Sequence, residues 1–128
     1  MARLIALRAN PGTFRPVIEL TGKGELLCHE LCGDRWFRSS KWDVEDALAQ
    51  FQGLYENELI VALSNLHELL GIHPTSKDYI FGWNQTIHGE KTMLLETDYV
   101  LRGYRDMDEP VLVIRPNKYP EKDYRDYY

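Results

Sequence analysis

Apolar residues recur at strand-like spacing over Arg3 to Ala9 and Phe14 to Leu20, with Pro11-Gly12 as a break between them. Thr21-Gly22-Lys23-Gly24 is a turn, and Glu25 to Leu31 is expected to return as the second arm of a hairpin. The pattern then becomes helical. Ser40 is placed as an N-cap with Asp43 three residues on, and Val44, Ala47, Leu48, Phe51 and Tyr55 follow at helical intervals. Gly53 predicts a bend or short break. Leu59, Leu63, Leu66 and Leu70 repeat every three or four residues and define one apolar stripe, which should end at Gly71 with Pro74 beyond it. From Tyr79 the period returns to that of strands: residues 79–83, a turn at His88-Gly89-Glu90-Lys91, then 92–101 and 110–114.

These elements predict an α+β fold with an N-terminal β-hairpin, one or two central helices, and a C-terminal three-stranded antiparallel sheet packed on the leucine stripe. A length of 128 residues suits one core, so residues 1–118 are read as a single domain. Residues 119–128, polar apart from their tyrosines, are read as a tail that orders only against a partner. No window reaches the roughly 18 apolar residues of a membrane span. The charged start lacks the pattern of a signal peptide, and two cysteines are too few for a disulfide scaffold, so a cytoplasmic location is expected.

The net charge of -5 is unevenly spread. Residues 1–41 hold seven bases and four acids, for +3; residues 42–76 hold six acids and no Lys or Arg, for -6; residues 77–128 hold eight bases and ten acids, for -2. Direct nucleic-acid binding is disfavoured by this balance. The helical middle should instead present a negative face, with Asp43, Glu45, Asp46, Glu56 and Glu58 as candidate residues for binding a protein partner with a basic surface.

Cys28 and Cys32, with Gly33 directly after, have the spacing of half a structural zinc site. His67 and His73 are the candidates for the other half, and such a zinc would tie the hairpin to the central helix. Packing of the cysteines as small apolar groups and capping of a helix end by His67 account for the same residues without metal. No nucleophile elbow, phosphate-cradling loop, HExxH pair or calcium loop is present, so no catalytic residue is assigned and no enzyme activity is expected. Glu96 and Asp98, with Asp106, Asp108 and Glu109, carry the alternative of a metal-dependent nuclease. Trp36, Phe37 and Trp42 among Arg35, Arg38 and Lys41 suit either a zinc-stabilised nucleic-acid-binding module or, preferably, an apolar lead-in to the helix. Trp83 is assigned to the core.

The helix end Leu69-Leu70-Gly71-Ile72, followed by Thr75-Ser76-Lys77, Phe81-Gly82-Trp83 and two further strands, is similar to small proteins of phages and mobile elements in Gram-positive bacteria over roughly residues 55–115. That resemblance brings no catalytic residues. By type, such proteins resemble inhibitors of host defence, including anti-CRISPR proteins that block an RNA-guided nuclease. What it implies here is a small acidic inhibitor acting in the host cytoplasm on a nucleic-acid-binding effector.

Overall fold

The computed structural model describes residues 16–126, together with the strand path of residues 3–6. The Pro11-Gly12 break, the expected extensions of the first strand to Ala9 and of the second back to Phe14, and Tyr127 and Tyr128 lie outside the described residues. In chain order the elements are β1 (Arg3–Ala6), β2 (Val17–Leu20), β3 (Leu26–Glu30), β4 (Arg35–Ser39), α1 (Lys41–Asn57), β5 (Ile60–Ala62), α2 (Leu63–Leu70), β6 (Gly82–Asn84), α3 (Gln85–His88), β7 (Leu95–Val100) and β8 (Val111–Pro116). The fold is α+β.

One mixed sheet runs in the order β1-β2-β4-β3-β8-β7, and β5 and β6 form a separate antiparallel pair. The arm after the 21–24 turn, β3, does not pair with β2. It pairs antiparallel with β4 and parallel with β8, while β2 lies parallel to β4. The reason lies in Trp36 and Phe37, which fill opposite faces of β4: Phe37 joins the main core and Trp36 the core on the other face. A strand buried on both faces belongs inside a sheet, so β4 takes the place beside β2. The C-terminal strands likewise divide. β7 and β8 extend this sheet, and β6 instead pairs with β5.

The registers Cys28↔Phe37 and Cys28↔Leu112 set those three residues on the helical face, where they meet Val44, Phe51 and Tyr55 of α1 and Leu66 and Leu70 of α2. The opposite face buries Ile18, Leu27, Trp36, Val111 and Val113, closed by Met107 from the loop before β8. Each fully buried Leu or Phe stabilises the fold by roughly 1.5–3 kcal/mol. Leu63, Leu66 and Leu70 form the expected stripe, but Leu59 precedes the helix and is exposed.

α1 runs unbroken through Gly53, where a bend was expected. Gly53 has no atom within 4 Å of a would-be Cβ, so it lies on the solvent side, and burial of Phe51 and Tyr55 around it outweighs a propensity loss of about 1 kcal/mol. The predicted cap is present: Ser40 Oγ accepts from the Asp43 amide at 3.1 Å and donates to Asp43 Oδ2 at 2.6 Å. Ser40→Ala should therefore cost about 1 kcal/mol, read as a lower chemical-denaturation midpoint. Ser40→Asp should also destabilise, because a carboxylate there cannot donate to Asp43 and repels it. Gly71 closes α2 in the left-handed conformation at φ 84°.

The segment read as a tail orders against the domain itself over its described part. Glu121 exchanges both backbone hydrogen bonds with Gly82, Trp83 Nε1 donates to Lys118 O at 2.7 Å, and Asn84 Nδ2 donates to Tyr124 O at 2.7 Å. Tyr124 is only 2% exposed. Its apolar ring, rather than the polar residues around it, decides where this segment goes.

Candidate functional site

α1 buries Val44, Ala47, Phe51 and Tyr55, so its acids point away from the core. Glu45, Asp46, Glu56 and Glu58 are exposed and Asp43 half-exposed. Their ties are local: Gln50 donates to Asp46, Gln52 to Glu56, and Lys41 lies 3.8 Å from Glu45. An exposed pair at that distance contributes little, so the face keeps its negative charge. Trp42 does not pack as a lead-in to the helix. It stands 72% exposed on the same side, whereas Trp36 and Phe37 are buried in β4.

Beside this face lies an open groove of about 550 Å³ between α1 and β7. Its floor is apolar, from Leu48, Ala49, Phe51, Met93 and Leu95, and Glu45 and Glu96 stand on its walls. No Lys or Arg lines it. Met93 is 55% exposed there. At one end Gln52 bridges helix and strand, donating to Thr92 O at 2.9 Å and accepting from the Leu94 amide at 3.1 Å.

A second constellation is buried. Glu30 at the end of β3, Arg35 at the start of β4, Glu19 of β2, His67 of α2 and Asp78 of the 3-10 turn Ser76–Tyr79 form one chain of charge. His67 Nε2 lies 2.5 Å from Glu30 Oε1, and its Nδ1 lies 2.8 Å from Asp78 Oδ2. Arg35 donates to Glu19 at 2.7 Å and to Asp78 at 3.4 Å. Backbone amides complete the set: Gly33 to Glu30, Thr75 to Asp78 and His73 to Glu19. Burial pushes the Asp78 carboxyl up, but the Thr75 amide, the His67 charge and Arg35 together hold it below its ordinary value. Gly33 is required by this approach, since a Cβ there would stand 2.7 Å from His67 Cε1. A cleft of about 320 Å³ opens beside the chain, walled by Leu63, Phe81 and Pro120, with Lys77 and Arg35 also lining it.

The four cysteines and histidines read as zinc ligands are differently placed. Cys28 packs in the main core with its thiol donating to Leu26 O at 3.4 Å, and burial pushes that thiol up to about 12. Cys32 sits beside Glu30, and burial followed by the Glu30 charge raises its thiol further, which removes it as a nucleophile near neutrality. His67 has both ring nitrogens turned to carboxylates. His73 is exposed, and its backbone amide is what it gives to Glu19. Among the described residues no group of three or more His, Cys, Asp or Glu side chains is arranged to hold a metal ion. Of the carboxylates weighed for a nuclease, Glu96 and Asp98 both bind Arg115, and Glu109 binds Arg38.

Sequence reading missed Glu19, Glu30 and Asp78, and weighed Arg35 only as a base beside the tryptophans. The only local signal was the Thr75-to-Asp78 spacing of a capping box, with Asp78 accepting from the Thr75 amide.

The fold and its surface define an α+β domain with an acidic helix bordering an apolar groove at the sheet edge. A family model, described as a family of unknown function (DUF6353), matches residues 6–125, and the chain belongs to that family. No curated protein and no solved structure matches it. Among the described residues, no helix is long and apolar enough to cross a membrane.

Proposed function

We propose that the protein binds a basic partner protein through the outward face of α1 and inhibits it. The observation that supports this most directly is the groove beside α1: its floor is apolar, its charged residues are acids, and no base lines it. A desolvated apolar floor supplies affinity, and the acids on and around it select positive partners and speed their encounter. Nucleic-acid-binding effectors present such Lys/Arg-lined surfaces. The resemblance to mobile-element proteins makes a guide-loaded RNA-guided nuclease in the host cytoplasm the first partner to test.

The test is inhibition of target-DNA binding by guide-loaded nucleases, with and without Glu45→Lys, Asp46→Lys, Glu56→Lys and Glu58→Lys introduced together. Opposing like charges should weaken the complex about a hundredfold or more, and raised salt should weaken the unmodified complex. Unchanged inhibition by a folded quadruple variant would sink this reading.

A further inference from the structure

We infer that the partner enters as an extended peptide that adds a strand to the outer edge of β7, lying in the groove against α1. The inference rests on the binding role proposed above and specifies its mode.

Among the described residues β7 ends the sheet, so one of its edges has no neighbouring strand. Which backbone groups face out follows from the β7–β8 register. Pro116 stands opposite Leu95 and has no N–H to give, while the Asn117 amide donates to Leu94 O at 2.8 Å. Leu95 is thus in a non-hydrogen-bonded position, and the alternation of antiparallel pairing turns the N–H and C=O groups of Leu95, Thr97 and Tyr99 away from β8. Those are the groups a docking strand requires.

The surroundings also suit strand addition. Proteins commonly blunt an edge with charged side chains, Pro or a covering element. The six residues of β7 contain no Pro and carry half-exposed Tyr99, and their two charges, Glu96 and Asp98, are acids that repel an acidic strand and suit a basic one. The side chains of Leu95 and Thr97 face the helical side, where the apolar floor of the groove accepts every second side chain of the incoming strand. Glu45 stands across the groove, and no Lys or Arg lines it. Glu96, at the groove's edge, and Asp98 point to the other face of β7, where they share the single guanidinium of Arg115 and so keep a net negative charge. Charge complementarity therefore commits the occupant to a basic, alternating segment of a partner protein, held by main-chain bonds and selected by its lysines or arginines.

The probe is a ten-residue acetylated, amidated peptide alternating Lys and Val, titrated into the full chain and followed by amide NMR and hydrogen exchange. Strand addition predicts slowed exchange of the Leu95, Thr97 and Tyr99 amides and shifts at Leu48, Ala49 and Met93. Methylating the backbone nitrogens on one edge of the peptide blocks pairing on that edge, so one of the two single-edge N-methylated peptides should bind at least tenfold more weakly than the parent. Thr97→Pro removes an outward N–H while leaving the β8 ladder intact and should have the same effect on the unmethylated peptide.

Equal binding of both methylated peptides, or of Thr97→Pro, overturns strand addition, as does absence of binding by the parent peptide. Binding that is lost on the quadruple lysine reversal but indifferent to methylation would leave only the acidic-face reading standing. Binding that survives the reversal but needs the β7 amides would remove the acidic-face reading instead.

Discussion

Replacing His67 by alanine should lower the unfolding free energy by about 3–5 kcal/mol, because the imidazole bridges two buried carboxylates and its loss leaves Glu30 buried without that partner and Asp78 with Arg35 at 3.4 Å as its remaining cation. Glu30 and His67 are wholly buried, and Asp78 nearly so. Each ring nitrogen of His67 faces a carboxylate oxygen, Nδ1 at 2.8 Å from Asp78 and Nε2 at 2.5 Å from Glu30. With a total stability of about 5–15 kcal/mol expected for a domain, the variant should sit near the limit of folding at 37 °C. Guanidinium denaturation at neutral pH measures the difference, and a loss below about 1 kcal/mol would refute the buried-charge account.

The acid limb supplies a second readout. Asp78 binds a proton less readily in the folded than in the unfolded chain, so its stabilising contribution is complete above its ordinary value of 3.8 and is lost as pH falls through the depressed folded value. Removing His67 deletes one cause of that depression. The variant should therefore lose stability at a higher pH than the parent.

This buried chain was largely illegible in the sequence. Glu30 and His67 are 37 residues apart, and Arg35 and Asp78 are 43 apart. Nothing in the spacing of either pair marks them as partners, because sheet order rather than periodicity brings them together. The cysteine pair drew attention to a turn whose glycine has a further role: Gly33, directly after Cys32, lets the chain pass close to His67 and Glu30. By contrast, the start of α1 at Ser40, its buried stripe and the Gly71 cap were legible, since each depends on residues within one or two turns. The acidic middle was also read correctly as exposed. What composition missed was its neighbour: a groove needs β7 beside α1, and that adjacency follows from β8 pairing with β3 more than 80 residues earlier.

Trp36 and Trp42 show the same boundary within seven residues. Both are aromatic and flanked by bases, but Trp36 is buried in β4 beneath the His29 ring at a centroid distance of 3.9 Å, and Trp42 is exposed on the first turn of α1. Residue type alone does not separate them. A strand between two others buries both of its faces, whereas the first turn of a surface helix buries only one side.

Tyr124→Ala should destabilise the fold by about 3–5 kcal/mol, the range for deleting a large buried aromatic. A tyrosine in a solvated tail would cost under about 0.5 kcal/mol. The ring packs directly on the backbone of β6: a Cβ added to Gly82 would come within 2.6 Å of Tyr124 Cε2, so glycine is what lets the ring lie this close. Its hydroxyl donates to Tyr79 O at 3.2 Å, and its own carbonyl accepts from Asn84. Removing the ring leaves a cavity over β6 next to Trp83, the largest fully buried side chain, and loosens the Glu121 to Gly82 backbone pair. Tyr124→Phe, which keeps the ring and loses one hydrogen bond, should cost only about 1 kcal/mol. Denaturation midpoints of the two variants measured side by side decide the matter, and near-equal midpoints would mean that the segment contributes through its backbone and not through the ring.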